Sequence, residues 1–128
     1  MVRTYAQRLH PWLAGLFALG VLVQAFLAGA ALPQLGGNGD FAAHRDLGYT
    51  GLGILALVVL IVAGIARASR IQIWGSIGLF VLYVVQTILP TLAGSSPLLA
   101  ALHPANAILL FALATWMFVA ERRVTPAA

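Results

Sequence analysis

FAAHRDLGYTGLGILALVVLIVAGI, residues 41–65, decides the fold, because apart from Arg45 and Asp46 near its start it carries no charge. A hydrocarbon core of about 30 Å takes roughly 20 helical residues, and this run is long enough. Strands of a membrane β-barrel would be shorter and would alternate apolar with polar residues, which this stretch does not do. Runs of the same character extend from Trp12 to Leu35, from Ile71 to Ala93 and from Leu98 to Ala120. The short connections place successive helices side by side. The sequence therefore predicts an all-α, integral membrane four-helix bundle of up-down-up-down topology, one domain over residues 1–128 with helices at about 11–35, 41–67, 71–93 and 97–121.

Composition leads to the same class. With 62% hydrophobic and 8% charged residues, a water-soluble fold of this length could not cover its surface, so lipid is the expected solvent. The formal net charge of +4 comes from arginines scattered in ones and twos, which excludes a nucleic-acid surface. The absence of cysteine excludes disulfides, iron–sulfur clusters and thiolate metal sites. Arg3 and Arg8 before an apolar stretch containing Ala28, Gly29 and Ala30 resemble a signal peptide, but the run continues to Leu35 and is expected to stay as a first spanning helix.

Of the seven arginines, Arg3, Arg8, Arg67, Arg70, Arg122 and Arg123 fall on one side of the expected bundle. The positive-inside rule makes that side cytoplasmic, with both termini there, in a plasma (inner) membrane protein. Trp12, Trp74 and Trp116 sit near the same helix ends, where an indole keeps its N–H wet and buries its body. Asp40 is expected to cap the second helix, and Ser95, Ser96 and Pro97 to stop one helix and start the next. The halves are weakly alike: Gln24 precedes His44 by 20 residues, and Gln86 precedes His103 by 17.

The topology sorts the histidines. His10 belongs to the cytoplasmic mouth of the first helix, whereas His44 and His103 open alternate helices on the outer side. A helix N-terminus disfavours the imidazolium and so favours the neutral ring that a metal requires. Neutral imidazoles facing each other across a bundle are ordinary axial ligands of a b-type haem. Gly48 and Gly51 lie at the fourth and seventh positions after His44, on its helix face, and would leave a slot for a flat macrocycle. Ala107 stands below His103, with Leu110 and Phe111 continuing an apolar wall. Arg45 is the lone arginine of the outer side, suited to haem propionates, to pairing with Asp46 or Asp40, or to lipid phosphates. The expected site is thus His44 and His103 as metal ligands, with Arg45, Gly48, Gly51 and Ala107 around haem b.

Gln24, Gln86 and Asn106 are expected to face the bundle interior and to hydrogen-bond across helices. His10-Pro11 reads as a helix start, and Met117 as core filler or a lipid-facing residue, so a second haem is not expected there. No serine–histidine–acid set is expected, and with Asp40, Asp46 and Glu121 at helix ends a carboxylate relay has no footing.

His44-Arg45 followed by Gly48, with His103 two helices later, resembles one four-helix haem-binding half of haem A synthase. The likeness covers roughly residues 38–65 and 102–118. It implies a haem gripped between the two histidines. Those enzymes have two such halves and a glutamate shortly before the His-Arg pair, where this chain has Phe41, Ala42 and Ala43. The chain also resembles small uncharacterised bacterial four-helix membrane proteins with a similar helix start. Two functions follow as expectations: a small cytochrome b-like protein for electron transport or haem handling, without catalysis of its own and served by a membrane or redox partner, or a cofactor-free subunit of a larger membrane complex.

Overall fold

The computed structural model describes residues 1–124 and contains four long helices. Helix α1 spans Val2–Ala31, and α2 spans Ala42–Ala66. Helix α3 covers Arg70–Ile88 and tightens into a 3₁₀ turn at Leu89–Leu92. After the short helical turn Pro97–Ala100, α4 runs over Leu102–Val124. The Arg123 side chain, assigned above to the cytoplasmic side, lies outside the described residues.

Helix α1 packs against α2 and α4, and α3 packs against the same two. The four close a ring in which α2 and α4 face each other diagonally, as do α1 and α3. All four are long and apolar enough to cross a membrane, and the chain is a multi-pass membrane protein. Its surface is correspondingly apolar: Leu16, Phe26, Ile54, Ile61, Val81 and Ile108 point outward. Lipid offers no hydrophobic force to drive helices together, so association rests on close packing. Ala14, Ala56, Ala63 and Ala114 supply it at the centre, with Phe17, Leu79 and Met117 filling the space between.

Helix α1 begins well before its apolar run, and Pro11 sits inside it rather than at its start. Proline lacks the N–H that would bond the Gln7 carbonyl, yet the helix passes through. The early start carries Arg3 and Gln7 to the end of α2, where both donate to the Ala66 carbonyl at 3.2 Å. Those side chains satisfy a carbonyl that a helix terminus leaves without an intrahelical donor. At the same end, Arg122 stacks 4.6 Å from the Trp12 ring centroid and 5.0 Å from that of Phe118. Ser69 and Gln72 form a reciprocal capping box that starts α3.

At the opposite end, Gly36 ends the 3₁₀ turn Pro33–Leu35 that follows α1, with a φ of 89°. Phe41, not Asp40, is the N-cap of α2 and makes no side-chain cap; Asp40, one residue earlier, accepts the Ala42 N–H on Oδ1 at 2.8 Å. Ser96 occupies the position before Pro97 but makes no capping hydrogen bond with its side chain.

Helix α2 is not uniform. Leu47–Leu52 is π-helical, between α-helical segments at Ala42–Asp46 and Gly53–Ala66. Such wide turns interrupt the regular carbonyl ladder and recur at functional sites. Here the Tyr83 hydroxyl, from α3, lies 3.3 Å from the Gly48 carbonyl and 2.9 Å from that of Tyr49. Gly53 permits the approach, since a Cβ there would come within 2.5 Å of Tyr83 Oη.

Candidate functional site

A cavity of about 440 Å³ opens between the helices at the end that joins α1 to α2 and α3 to α4. His44 and His103 both line it, as do Arg45, Gly48 and Ala107. It reaches from Phe41, Ala93 and Ala100 near the helix ends to Val21, Leu52 and Leu110 deeper in the bundle. At a rise of 1.5 Å per residue, Leu110 lies about 10 Å below His103. Gly51 does not line the cavity, contrary to its expected place on the histidine's face; a Cβ there would meet Leu47 of its own helix at 2.7 Å. The π-helical turn carries more residues per turn than an α-helix, so the spacing that keeps Gly48 beside the histidine no longer holds for Gly51. Phe111 packs against the core rather than lining the cavity.

The two histidines are held alike. His44 Nδ1 lies 3.1 Å from the Gln24 carbonyl on α1, and His103 Nδ1 lies 3.0 Å from the Gln86 carbonyl on α3. A carbonyl only accepts, so both rings carry their proton on Nδ1 and leave Nε2 unprotonated. This is the arrangement by which a backbone acceptor fixes the tautomer of a metal-binding imidazole. The faint Gln–His repeat of the sequence is therefore a repeated contact: each glutamine's backbone orients the histidine of the next helix.

The ring centroids are 6.2 Å apart, with planes inclined at 69°. Two imidazoles on opposite sides of one metal ion, each with a metal–nitrogen distance of about 2.0–2.1 Å, put their centroids about 6.3 Å apart. Rotation about the ligand axis leaves that separation unchanged, so the inclination is compatible with it. Among the described residues there is no group of three or more His, Cys, Asp or Glu side chains able to hold a metal ion. The two imidazoles are therefore the side chains that could offer nitrogen ligands to a metal at this level.

A family described as of unknown function (DUF6220) matches residues 24–93, more than half of the chain. The chain belongs to that family. The match takes in Gln24, His44, Arg45, Gly48, Tyr83 and Gln86 of this DUF6220 protein and ends before α4, which supplies His103. No curated protein and no solved structure matches the chain.

The side chains around His103 form a chain of hydrogen bonds whose direction is fixed. Asn106 Nδ2 donates to the Leu82 carbonyl at 2.9 Å and to Gln86 Oε1 at 2.7 Å. That turns Gln86 Nε2 toward His103 Nε2, 3.2 Å away, which accepts. On the other side, Gln24 is buried with neither amide atom hydrogen-bonded among the described residues. A Cβ on Gly48 would stand 3.1 Å from its Nε2. Arg45 is exposed at the cavity rim, and among the described residues no ion pair joins it to Asp46 or Asp40.

Tyr83 was not singled out from the sequence, although a tyrosine three residues before Gln86 in an apolar run was the available signal. The expectation that no serine–histidine–acid set exists is corrected. At the arginine-rich end, His10 Nδ1 lies 2.6 Å from Glu121 Oε2, and its Nε2 lies 2.9 Å from Ser76 Oγ. Three helices bring these residues together from positions 10, 76 and 121, so no sequence motif announced them. All three are buried, and Ser76 Oγ also donates to the Gln72 carbonyl at 2.9 Å. With that proton committed, His10 Nε2 donates to Oγ. Both ring nitrogens of His10 are thus engaged within the protein. Met117 is core filler, fully buried beneath them.

Proposed function

We propose that this protein binds one haem b between His44 and His103, for electron transfer or haem handling, and has no catalytic activity of its own. The observation that carries the reading is the matched pair of imidazoles: the same nitrogen of each is anchored to a backbone carbonyl, and the centroids are 6.2 Å apart across an apolar cavity. Gly48 and Ala107, at the fourth position after each histidine, keep both walls low where a macrocycle would lie. The cavity extends along the bundle axis on either side of the histidine level, as a flat ligand requires. Arg45, free of carboxylate partners among the described residues, would take the propionates. The His-Arg helix start supports the same reading through its resemblance to haem A synthase. When bound, haem would supply a one-electron couple at the iron, tuned by its axial ligands and the burial of its edge.

The arginine distribution supports a plasma-membrane orientation with both termini cytoplasmic and the histidine cavity toward the outer face. A redox or haem-handling partner would then act from that face. The test is reconstitution of the detergent-purified protein with haemin. Low-spin Soret and α bands that require both histidines are expected. Their absence in the wild-type protein refutes the reading.

A further inference from the structure

The two ligand sites are alike in their backbone contacts and unlike in their side-chain surroundings. His44 Nε2 receives no hydrogen bond among the described residues, whereas His103 Nε2 accepts one from the Gln86 amide at 3.2 Å. The difference traces to one position. The third residue after His103 is Asn106, which holds Gln86 Oε1 at 2.7 Å and so points the amide nitrogen at the ring. The third residue after His44 is Leu47, whose side chain has no polar atom to offer, and among the described residues the Gln24 amide is left without a partner. Asn106 is itself buried and tied to the Leu82 carbonyl, so its position does not depend on Gln86.

Resting on the haem reading, we propose that Gln86, held by Asn106, competes with the metal for His103, so that His44 is the fixed axial ligand and His103 the exchangeable one. A lone pair that accepts an amide N–H is not available to iron until that hydrogen bond breaks. His44 Nε2, which receives no amide among the described residues, would be open to a metal at once, whereas His103 Nε2 would be open only when Gln86 turns away and closed again when the amide returns. Gln86 and Asn106 act as positioning residues and touch no iron. A site with one exchangeable ligand is fitted to accept haem and to pass it on, which favours haem handling over permanent electron transfer. The leaving amide has a place to go: the cavity beside it is lined by Thr87, whose Oγ1 donates to the Val84 carbonyl at 2.8 Å and keeps lone pairs able to accept an amide N–H.

The experiment follows haemin binding to the detergent-solubilised apoprotein by stopped flow at the Soret band, with electron paramagnetic resonance of the end state. Release is followed by transfer to excess apomyoglobin. Wild type is expected to show a fast high-spin phase and a slower conversion to low spin. Gln86→Leu should speed the conversion and slow the transfer by about fivefold each, the effect of removing one ordinary hydrogen bond. Asn106→Leu, which frees Gln86 without deleting it, should shift both rates in the same direction by less. His103→Ala should retain haem as a high-spin species, whereas His44→Ala should lose most of it. Circular dichroism and gel filtration establish that each variant is folded; if Gln86→Leu is not, Asn106→Leu and the comparison of the histidine variants decide the matter. Equal haem loss in the two histidine variants, or wild-type rates in the folded glutamine and asparagine variants, overturns the proposal while leaving the haem reading intact. A wild type that binds no haem refutes the haem reading instead.

Discussion

Replacing Glu121 by leucine tests what the buried cluster at the arginine-rich end contributes. His10 is 1% exposed and Ser76 is fully buried, so no solvent replaces the carboxylate when it is removed. The ring then keeps its Ser76 contact and loses the 2.6 Å contact at Nδ1. A buried polar atom left without a partner costs about 1–3 kcal/mol, and leucine recovers part of that through apolar contact. Glu121→Leu should therefore destabilise the bundle by about 2 kcal/mol. His10→Leu removes both of the ring's side-chain contacts and should cost at least as much. The double variant has no orphaned ring nitrogen, and well-packed apolar residues in place of a buried pair are often close to neutral. Its loss should fall about 2 kcal/mol short of the sum of the singles. Reversible unfolding in mixed detergent–denaturant micelles, extrapolated to zero denaturant, gives the needed free energies. Additive losses, within about 0.5 kcal/mol, would show that the His10–Glu121 contact does not stabilise the bundle.

Three further outcomes are expected. Gly53→Ala should destabilise the bundle by about 1–3 kcal/mol, because its Cβ would lie 2.5 Å from Tyr83 Oη and would displace the hydroxyl from the Gly48 and Tyr49 carbonyls. Gly64→Ala, with no atom within 4 Å of its Cβ, should instead stabilise by about 0.5–1 kcal/mol; thermal melts in detergent compare the two. Arg45→Gln should weaken haemin binding about tenfold and lessen its dependence on ionic strength, measured by titration at low and high salt. Because the chain has no cysteine, single cysteines can report orientation. In intact cells, Gly94→Cys should react with an impermeant maleimide, and Ala68→Cys should react only after lysis.

Much of the architecture was legible because the membrane imposes it. Length, absence of charge and the clustering of arginine and tryptophan identify four spans and sort their ends without any knowledge of packing. The start of α1 was not legible in the same way. Arg3, Gln7 and Arg8 break the apolar run, and only the Ala66 carbonyl of a distant helix explains why the helix extends through them. The place of Gly51 was misread because periodicity assumes a regular helix, and the π-helical turn at Leu47–Leu52 alters the face. The His10–Ser76–Glu121 cluster was hidden for a third reason. Residues from three separate helices meet there, and sequence patterns report neighbours along one helix far better than neighbours across a bundle.

The ring-like packing explains how so short a chain presents two equivalent histidines. In an up-down-up-down bundle, α2 and α4 run in the same direction and lie diagonally across the axis, so a histidine near the start of each arrives at the same depth facing the other. The intervening helices, α1 and α3, then stand beside the histidines with carbonyls in reach, and Gln24 and Gln86 supply the same acceptor to each. Equivalent backbone, however, does not compel equivalent chemistry. Asn106 breaks the symmetry with a single side chain, and it lies outside the residues matched by the family. The orienting carbonyls and His44 fall within that match, whereas the second imidazole and the amide arrangement that restrains it both depend on α4.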